Sequence, residues 1–228
     1  MLECWCRRAV NWLSKLKTYI FDLDGTLVDS EEAHLSSWLE ALSKFSPIKT
    51  SELQRYFGLD TKYIAAKFIK DEEKIKQCVE LKERLFDKLW KEKSCINRCV
   101  RELLSYLKEN EFNIAVASSN PVNRIEEILN FFEIRDFFDV IAGREHAGKG
   151  KPHPDILLYI LKRLETNASV AVYVGDSPFD VLTAKNAGVH SILLKYQHRL
   201  EVAEVGVVPD LIVNSLCELL SLIKQAYL

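Results

Sequence analysis

Six short apolar runs, each closed by polar or turn-forming residues, leave a chain of 228 residues few ways to fold. They cover residues 18–21, 112–117, 138–142, 170–174, 189–194 and 211–213. Runs this short and this continuously apolar suit strands buried on both faces, as in a parallel sheet. Helical patterns separate most of them, at 98–109, 121–131, 154–164, 178–187 and 216–227. Pro121 and Pro178 stand at the starts of two of these, where a missing N–H costs nothing. Strand and helix in alternation predict an α/β fold with a doubly wound parallel sheet.

One stretch breaks the alternation. Residues 31–93 read as helices only: Trp38, Leu39, Leu42 and Phe45 recur at helical spacing, as do Ile64 and Phe68, then Val79, Leu81, Leu85, Phe86 and Leu89. We expect an inserted α-helical cap at 31–93, an α/β core from 18–30 and 94–228, and an amphipathic extension at 1–17. The extension carries Trp5, Val10, Trp12, Leu13 and Leu16 and is expected to pack on the domain.

Charge and composition exclude several functions. Lys plus Arg is 31 and Asp plus Glu is 33, a net charge of −2, so no basic excess draws the chain to nucleic acid. No apolar run approaches the roughly 20 residues of a membrane helix. The six cysteines are dispersed through a chain large enough to do without staples. Reduced thiols and a cytoplasmic location are therefore expected.

The polar residues at the run ends point to chemistry. Asp22-Leu23-Asp24-Gly25-Thr26 follows the first run, Ser118 the second and Gly175-Asp176-Ser177 the fourth, with Asp180 one helical turn on. Lys151 lies in Gly150-Lys151-Pro152-His153-Pro154, just before a helical pattern. In open α/β sheets, ligands bind beyond the carboxyl ends of the strands, so these residues should converge. Carboxylates about 4 Å apart repel by on the order of 4 kcal/mol per pair at an effective dielectric of about 20. A divalent cation with oxygen ligands is the natural compensation, and Mg²⁺ suits one or two carboxylates plus a phosphate. A lysine and a hydroxyl can hold the other phosphate oxygens. One aspartate of Asp22-x-Asp24 can attack phosphorus, and the other can move the proton.

These four motifs, in this order, resemble the haloacid dehalogenase superfamily of phosphohydrolases, from Thr18 to about Leu194. The resemblance implies a Rossmann-like core with a helical cap and a Mg²⁺-dependent phosphatase acting through an aspartyl phosphate. It assigns Asp22 as nucleophile and Asp24 as acid and base. It places Ser118 and Lys151 on the phosphoryl group, the metal on Asp22, the Asp24 carbonyl and Asp176, and Asp180 in a supporting position. Asp24 argues against dehalogenases and phosphonatases, which lack a second aspartate there. Asp29-Ser30-Glu31-Glu32-Ala33-His34, with Trp38 beyond, resembles the β-phosphoglucomutase-like branch. His34 is then expected near the crevice, and the cap loop near Tyr56, Phe57, Gly58 and Lys62 is expected to decide the substrate. Two departures argue against a mutase: Thr61 stands where the mutase has an arginine after its cap-loop glycine, and Gly175 where it has a glutamate. The expected partner is a small phosphorylated metabolite of sugar phosphate or phosphoglycolate type. A phosphomutase and a catalytically silent binding module of the same fold are the alternatives.

Overall fold

The computed structural model describes residues 12–45, 48–195 and 206–227. Its main sheet has six strands: β1 (Thr18–Phe21), β4 (Asn113–Ala117), β5 (Val140–Ala142), β6 (Ala171–Gly175), β7 (His190–Leu194) and β8 (Leu211–Val213). Their order is β5-β4-β1-β6-β7-β8, with every pairing parallel. All four β1 residues are buried, as are all five of β6, because helices cover both faces. That accounts for their continuous apolar runs. The chain leaves β1 toward β4 and β5, then crosses back to β6 on the other side. The strand order therefore reverses at β1, and a crevice opens at its carboxyl end.

The core helices are α5 (Val100–Glu109), α6 (Val122–Phe131), α7 (Asp155–Arg163), α8 (Pro178–Ala187) and α9 (Leu216–Ala226). Each lies within two residues of its expected span. Local chemistry sets the starts of two. Ser177 and Asp180 form a reciprocal capping box with Pro178 at the first helical position of α8, and Ser215 caps α9. On the sheet's two faces, separate apolar clusters gather around Phe21, Val116 and Val174 and around Ile20, Ala115 and Tyr173. Alternate residues of the same strands feed opposite clusters, as the pleat requires.

Between β1 and α5 the chain forms α1 (Glu31–Ser43), α2 (Thr50–Gln54), α3 (Thr61–Phe68) and α4 (Glu72–Lys93). They share an apolar cluster of their own around Trp38, Leu42, Leu53, Ile64 and Cys78. A two-stranded antiparallel ribbon, β2 (Val28–Asp29) with β3 (Cys95–Ile96), closes the insertion at its base. Two-residue strands have no periodicity to read, so the ribbon was not expected. The Asn97 side chain ties it to the loop after β1, donating to the Thr26 carbonyl at 2.8 Å.

In α4 the fully buried stripe is Ile75, Cys78, Lys82, Phe86 and Trp90, a lysine among apolar residues. Of the residues whose spacing predicts this helix, Phe86 is on the stripe, and Val79, Leu81, Leu85 and Leu89 are half-buried beside it.

The cysteine expectation needs one correction. Cys99 and Cys217 form a disulfide, because α5 and α9 pack side by side and bring their Cα atoms to 5.2 Å. A separation of 118 residues concealed that from the sequence. Cys78 and Cys95 are free thiols, and Cys4 and Cys6 lie outside the described residues. The thiol count therefore no longer bears on the compartment. Of the N-terminal extension, Leu13 and Leu16 are buried in the core and Trp12 stacks on His190; residues 1–11 lie outside the described residues. Among the described residues, no helix is long and apolar enough to cross a membrane.

Candidate active site

Asp22 is the first residue after β1, and its N–H donates to the Val174 carbonyl of β6 at 2.8 Å. The sheet ladder therefore carries it to the rim before the chain turns away. Its carboxylate is buried and accepts from Lys151 Nζ at 2.7 Å. The same Nζ donates to Asp180 Oδ1 at 2.8 Å. Tyr173, on β6, donates its hydroxyl toward Asp180 Oδ1 at 3.2 Å and the Ala117 carbonyl at 3.2 Å. Burial, with Asp180 and Asp176 close by, pushes the Asp22 carboxyl up against the pull of Lys151. Burial also works against the charge of Lys151, but Asp180 and Asp22 outweigh it and hold the ammonium protonated.

Asp24 points elsewhere. Ser30 Oγ donates to its Oδ1 at 2.6 Å, Asn120 Nδ2 donates to its Oδ2, and His34 Nε2 lies 3.1 Å from Oδ1. Burial favours the neutral acid, yet His34, Ser30 and Lys82 together hold the group below the usual carboxylate range. His34, on the first turns of α1, stacks on Phe86 with ring centroids 4.2 Å apart. Burial and the nearby Lys82 keep its pKa below the ordinary histidine value. Two aspartates one residue apart thus occupy separate environments. Asp22 lies among lysine, tyrosine and aspartates, and Asp24 among neutral donors and a histidine.

Ser118 follows β4, buried, and its Oγ accepts from the Asn120 N–H at 3.1 Å and Nδ2 at 3.2 Å. Asn120 therefore links Ser118 to Asp24. Sequence reading had passed over it, although it sits in the polar Ser118-Ser119-Asn120 turn at a strand end. Asp22, Asp176 and Asp180 are buried with carboxylate oxygens within 4.8 Å of one another. Three oxygen donors of this kind fit a hard divalent cation. Asp180 is already engaged by Lys151, by Ser177 Oγ and by the Ser177 N–H, which suits the supporting place expected of it. Gly175 explains one departure noted above: a Cβ there would collide with the Asp180 side chain, so this loop has no room for a glutamate.

From the insertion, Trp38, Phe57, Gly58, Leu59, Thr61, Ile64 and Lys82 line the crevice, which has a cavity volume of about 70 Å³. Tyr56 and Lys62 do not line it. Tyr56 packs edge-on against Phe68 within the insertion, and Lys62 is exposed and pairs with Glu72 at 3.2 Å. Their neighbours Phe57, in the turn between α2 and α3, and Thr61, at the start of α3, face the crevice instead. Gly58 shows how closely the two parts meet. Its φ is +97°, and a Cβ there would stand 2.6 Å from Ser177 Oγ.

The haloacid dehalogenase-like hydrolase family model matches residues 19–194. The chain belongs to that family. Among its relatives, the phosphorylated carbohydrates phosphatase of Thermotoga maritima is 32% identical, over 90% of this chain and 100% of its own. Pyrophosphatase PpaX of Bacillus cereus is 25% identical, over 92% of this chain and 98% of its own. The β-phosphoglucomutase structure from Clostridium difficile superposes with a TM-score of 0.78 at 23% identity, over 93% of this chain and 97% of that one, a likeness of fold.

The group that the motifs do not announce is Lys82. It is the one lysine or arginine that the insertion's described residues contribute to the crevice lining. Its Nζ lies 4.8 Å from the Phe86 ring centroid and 5.7 Å from that of Trp38. Burial, and Arg124 nearby, lower its pKa, opposed by Glu83 and Asp24. The signal was present in the sequence, since Lys82 falls in step with Ile75, Cys78, Phe86 and Trp90. A charged residue on a buried stripe is rare without a purpose.

Proposed function

We propose that this phosphatase hydrolyses small phosphorylated metabolites, with Mg²⁺, through an aspartyl phosphate on Asp22, and that its preferred leaving group carries a negative charge of its own. The observation that carries the reading is the separation of environments between Asp22 and Asp24. Asp22 stands beside Lys151 and within the acidic cluster, where it can reach phosphorus and a cation, whereas Asp24 faces His34 and the insertion, on the side where a leaving group would lie. In the first half-reaction an Asp22 oxygen bonds to phosphorus, the ester P–O bond breaks, and Asp24 gives a proton to the leaving oxygen. In the second, Asp24 takes a proton from the water that attacks phosphorus and releases Asp22 with inorganic phosphate. Asp24 enters the first half as the acid and the second as the carboxylate, so the proton it gives to the leaving group is replaced by the one it takes from water.

Lys151 and Ser118 bind the phosphoryl oxygens, and Asp180 with Tyr173 holds Lys151 in place. Asp22, Asp176 and the Asp24 carbonyl would hold Mg²⁺, which when bound supplies positive charge to the phosphoryl oxygens and to the crowded carboxylates. Water is the acceptor in this reading because Thr61 and Gly175 stand where a mutase needs arginine and glutamate.

The leaving-group preference rests on Lys82 and on size. A crevice of about 70 Å³ suits a compact leaving group. Lys82 offers it a cation in a setting with little water, where an anion gains most. Phosphoglycolate and inorganic pyrophosphate both match, and sugar phosphates match less well. The test is phosphate release from 2-phosphoglycolate, pyrophosphate, glucose 6-phosphate and 2-hydroxyethyl phosphate, with Mg²⁺ and with EDTA. Metal-dependent release that vanishes in Asp22→Asn supports the reading. Release from none of them, or equal release by Asp22→Asn, overturns it.

A further inference from the structure

Lys82 has a carboxylate as its immediate neighbour, and a buried ammonium beside a buried carboxylate is a poor anion hook. Glu83 Oε1 lies 3.3 Å from Lys82 Nζ, longer than the 2.7–2.9 Å of a tight charge-assisted bond. The other oxygen of Glu83 accepts from Arg124 Nη1. Arg124 Nη2 holds Asp87 Oδ1 at 2.6 Å, and the guanidinium lies over Phe86, 5.2 Å from the ring centroid. Arg124 belongs to the core, on the first turn of α6, two turns of chain beyond Ser118. Glu83, Asp87 and Phe86 belong to α4 of the insertion. The pair therefore spans the boundary between the two.

We propose that Arg124 is a positioning residue that holds Glu83 away from Lys82 and so keeps the Lys82 charge available to a second anionic group on the substrate. The inference rests on the reading of Lys82 given above. The physical argument is competition for one carboxylate. A guanidinium gives each carboxylate a directed N–H, here Nη1 to Glu83 and Nη2 to Asp87, whereas an ammonium is a compact point charge. With Arg124 in place, Glu83 turns its better contact toward the core. Without Arg124, Glu83 would be a largely buried carboxylate with Lys82 as its one cationic neighbour among the residues described around it. It would then close on Lys82 and cancel the charge. Asp87, half-exposed, is held by the same fork and keeps Arg124 from turning into the crevice. Arg124 itself is not among the crevice lining, so its effect on substrate passes through Glu83 and Lys82.

A matched pair of esters tests this: 2-phosphoglycolate, whose leaving group is anionic, and 2-hydroxyethyl phosphate, whose leaving group is neutral. The quantity read is the ratio of their KM values, with kcat measured beside it. Arg124→Met is expected to shift the ratio against phosphoglycolate by about tenfold, the scale of one hydrogen bond to a charged group. Adding Glu83→Gln to Arg124→Met should return the ratio to within about threefold of wild type, because the carboxylate next to Lys82 is then gone. Glu83→Gln alone should favour phosphoglycolate. This third variant keeps the test open if Arg124 variants do not fold, as judged by circular dichroism.

A mere staple between core and insertion would raise both KM values together, and Glu83→Gln would not rescue it; that result overturns the proposal. An unchanged or opposite ratio in Glu83→Gln alone also overturns it. Lys82→Met separates the two levels of the argument. If it leaves the ratio unchanged, the Lys82 reading falls and the proposal falls with it. If it shifts the ratio while Arg124→Met does not, the reading stands and the proposal alone fails.

Discussion

Asp22 and Asp24 are the same residue type in the same loop, and their surroundings make them different acids. Asp22→Asn replaces a carboxylate nucleophile by an amide, and we predict loss of turnover with the fold intact, read by phosphate release and circular dichroism. Near-native turnover in that variant would end the covalent mechanism. Asp24→Asn keeps the backbone carbonyl and removes the proton carrier. Its kcat should fall by about 10²–10⁴-fold, as is usual when a general acid or base is lost. Mg²⁺ affinity, measured by calorimetry, should stay within a few-fold. A collapse of metal affinity with normal turnover would reverse the roles. Lys151, Asp180 and Tyr173 form one hydrogen-bonded unit around Asp22, so their single substitutions should not add.

Elements set how the two parts meet. The α2–α3 turn carries Gly58 against Ser177, at a positive φ that L side chains rarely adopt. Gly58→Ala combines backbone strain with a steric overlap on the core loop. We predict a lower kcat/KM for all phosphate esters alike, without change in their ranking, and a stability loss of about 1 kcal/mol or more by urea titration. A changed ranking with unchanged stability would place Gly58 among substrate contacts instead. Along α4, Glu83 opposes Arg124, Lys91 pairs with Glu127 at 2.9 Å, and Trp90 packs edge-on to Phe131. Burial alone would raise the Glu83 pKa, but Lys82 and Arg124 together lower it from 4.5 to about 2. A carboxyl depressed by folding adds stability that is full above its unfolded value and disappears as pH falls through its folded one. Glu83 thus contributes above about pH 4.5, and its contribution fades between there and about pH 2. Glu83→Gln should therefore flatten the acid limb of stability in that window, in urea melts at stepped pH. An unaltered limb would mean that Glu83 is not held low.

Across the molecule, the reversal of strand order at β1 brings the ends of β1, β4 and β6 together, and with them Asp22, Ser118 and Asp176. The Cys99–Cys217 disulfide joins the segment just after the ribbon to the last helix, 118 residues on. A cross-link restrains the unfolded chain more when its loop is longer, and values of about 2–4 kcal/mol are typical. Replacing both cysteines by serine should lower stability by that order in urea titration, and dithiothreitol should affect the native chain but not the double variant. Equal midpoints for the two proteins would mean that the pair contributes nothing. Neither cysteine lines the crevice, so catalytic constants are expected to stay near native.

Strand positions, helix starts and the order of the catalytic motifs were readable without coordinates, because each is written locally. Apolar runs on a two-faced sheet, prolines at helix starts and polar residues at strand ends all act within a few residues. Even the all-helical insertion announced itself by its period. The destinations of individual side chains were not readable in this way. Tyr56 and Lys62 lie next to crevice residues in sequence and turn away from the crevice, Tyr56 to pack on Phe68 and Lys62 because a helix rotates it about 100° from Thr61. Lys82 was passed over because charge usually marks an exposed face, and only the packing of α4 between α1 and the core put it on the buried one. Arg124 meets Glu83 across 41 positions, and Cys99 meets Cys217 across 118. Contacts at such distances along the chain depend on how whole elements pack, and packing is decided by the sum of many weak apolar contacts rather than by any local signal.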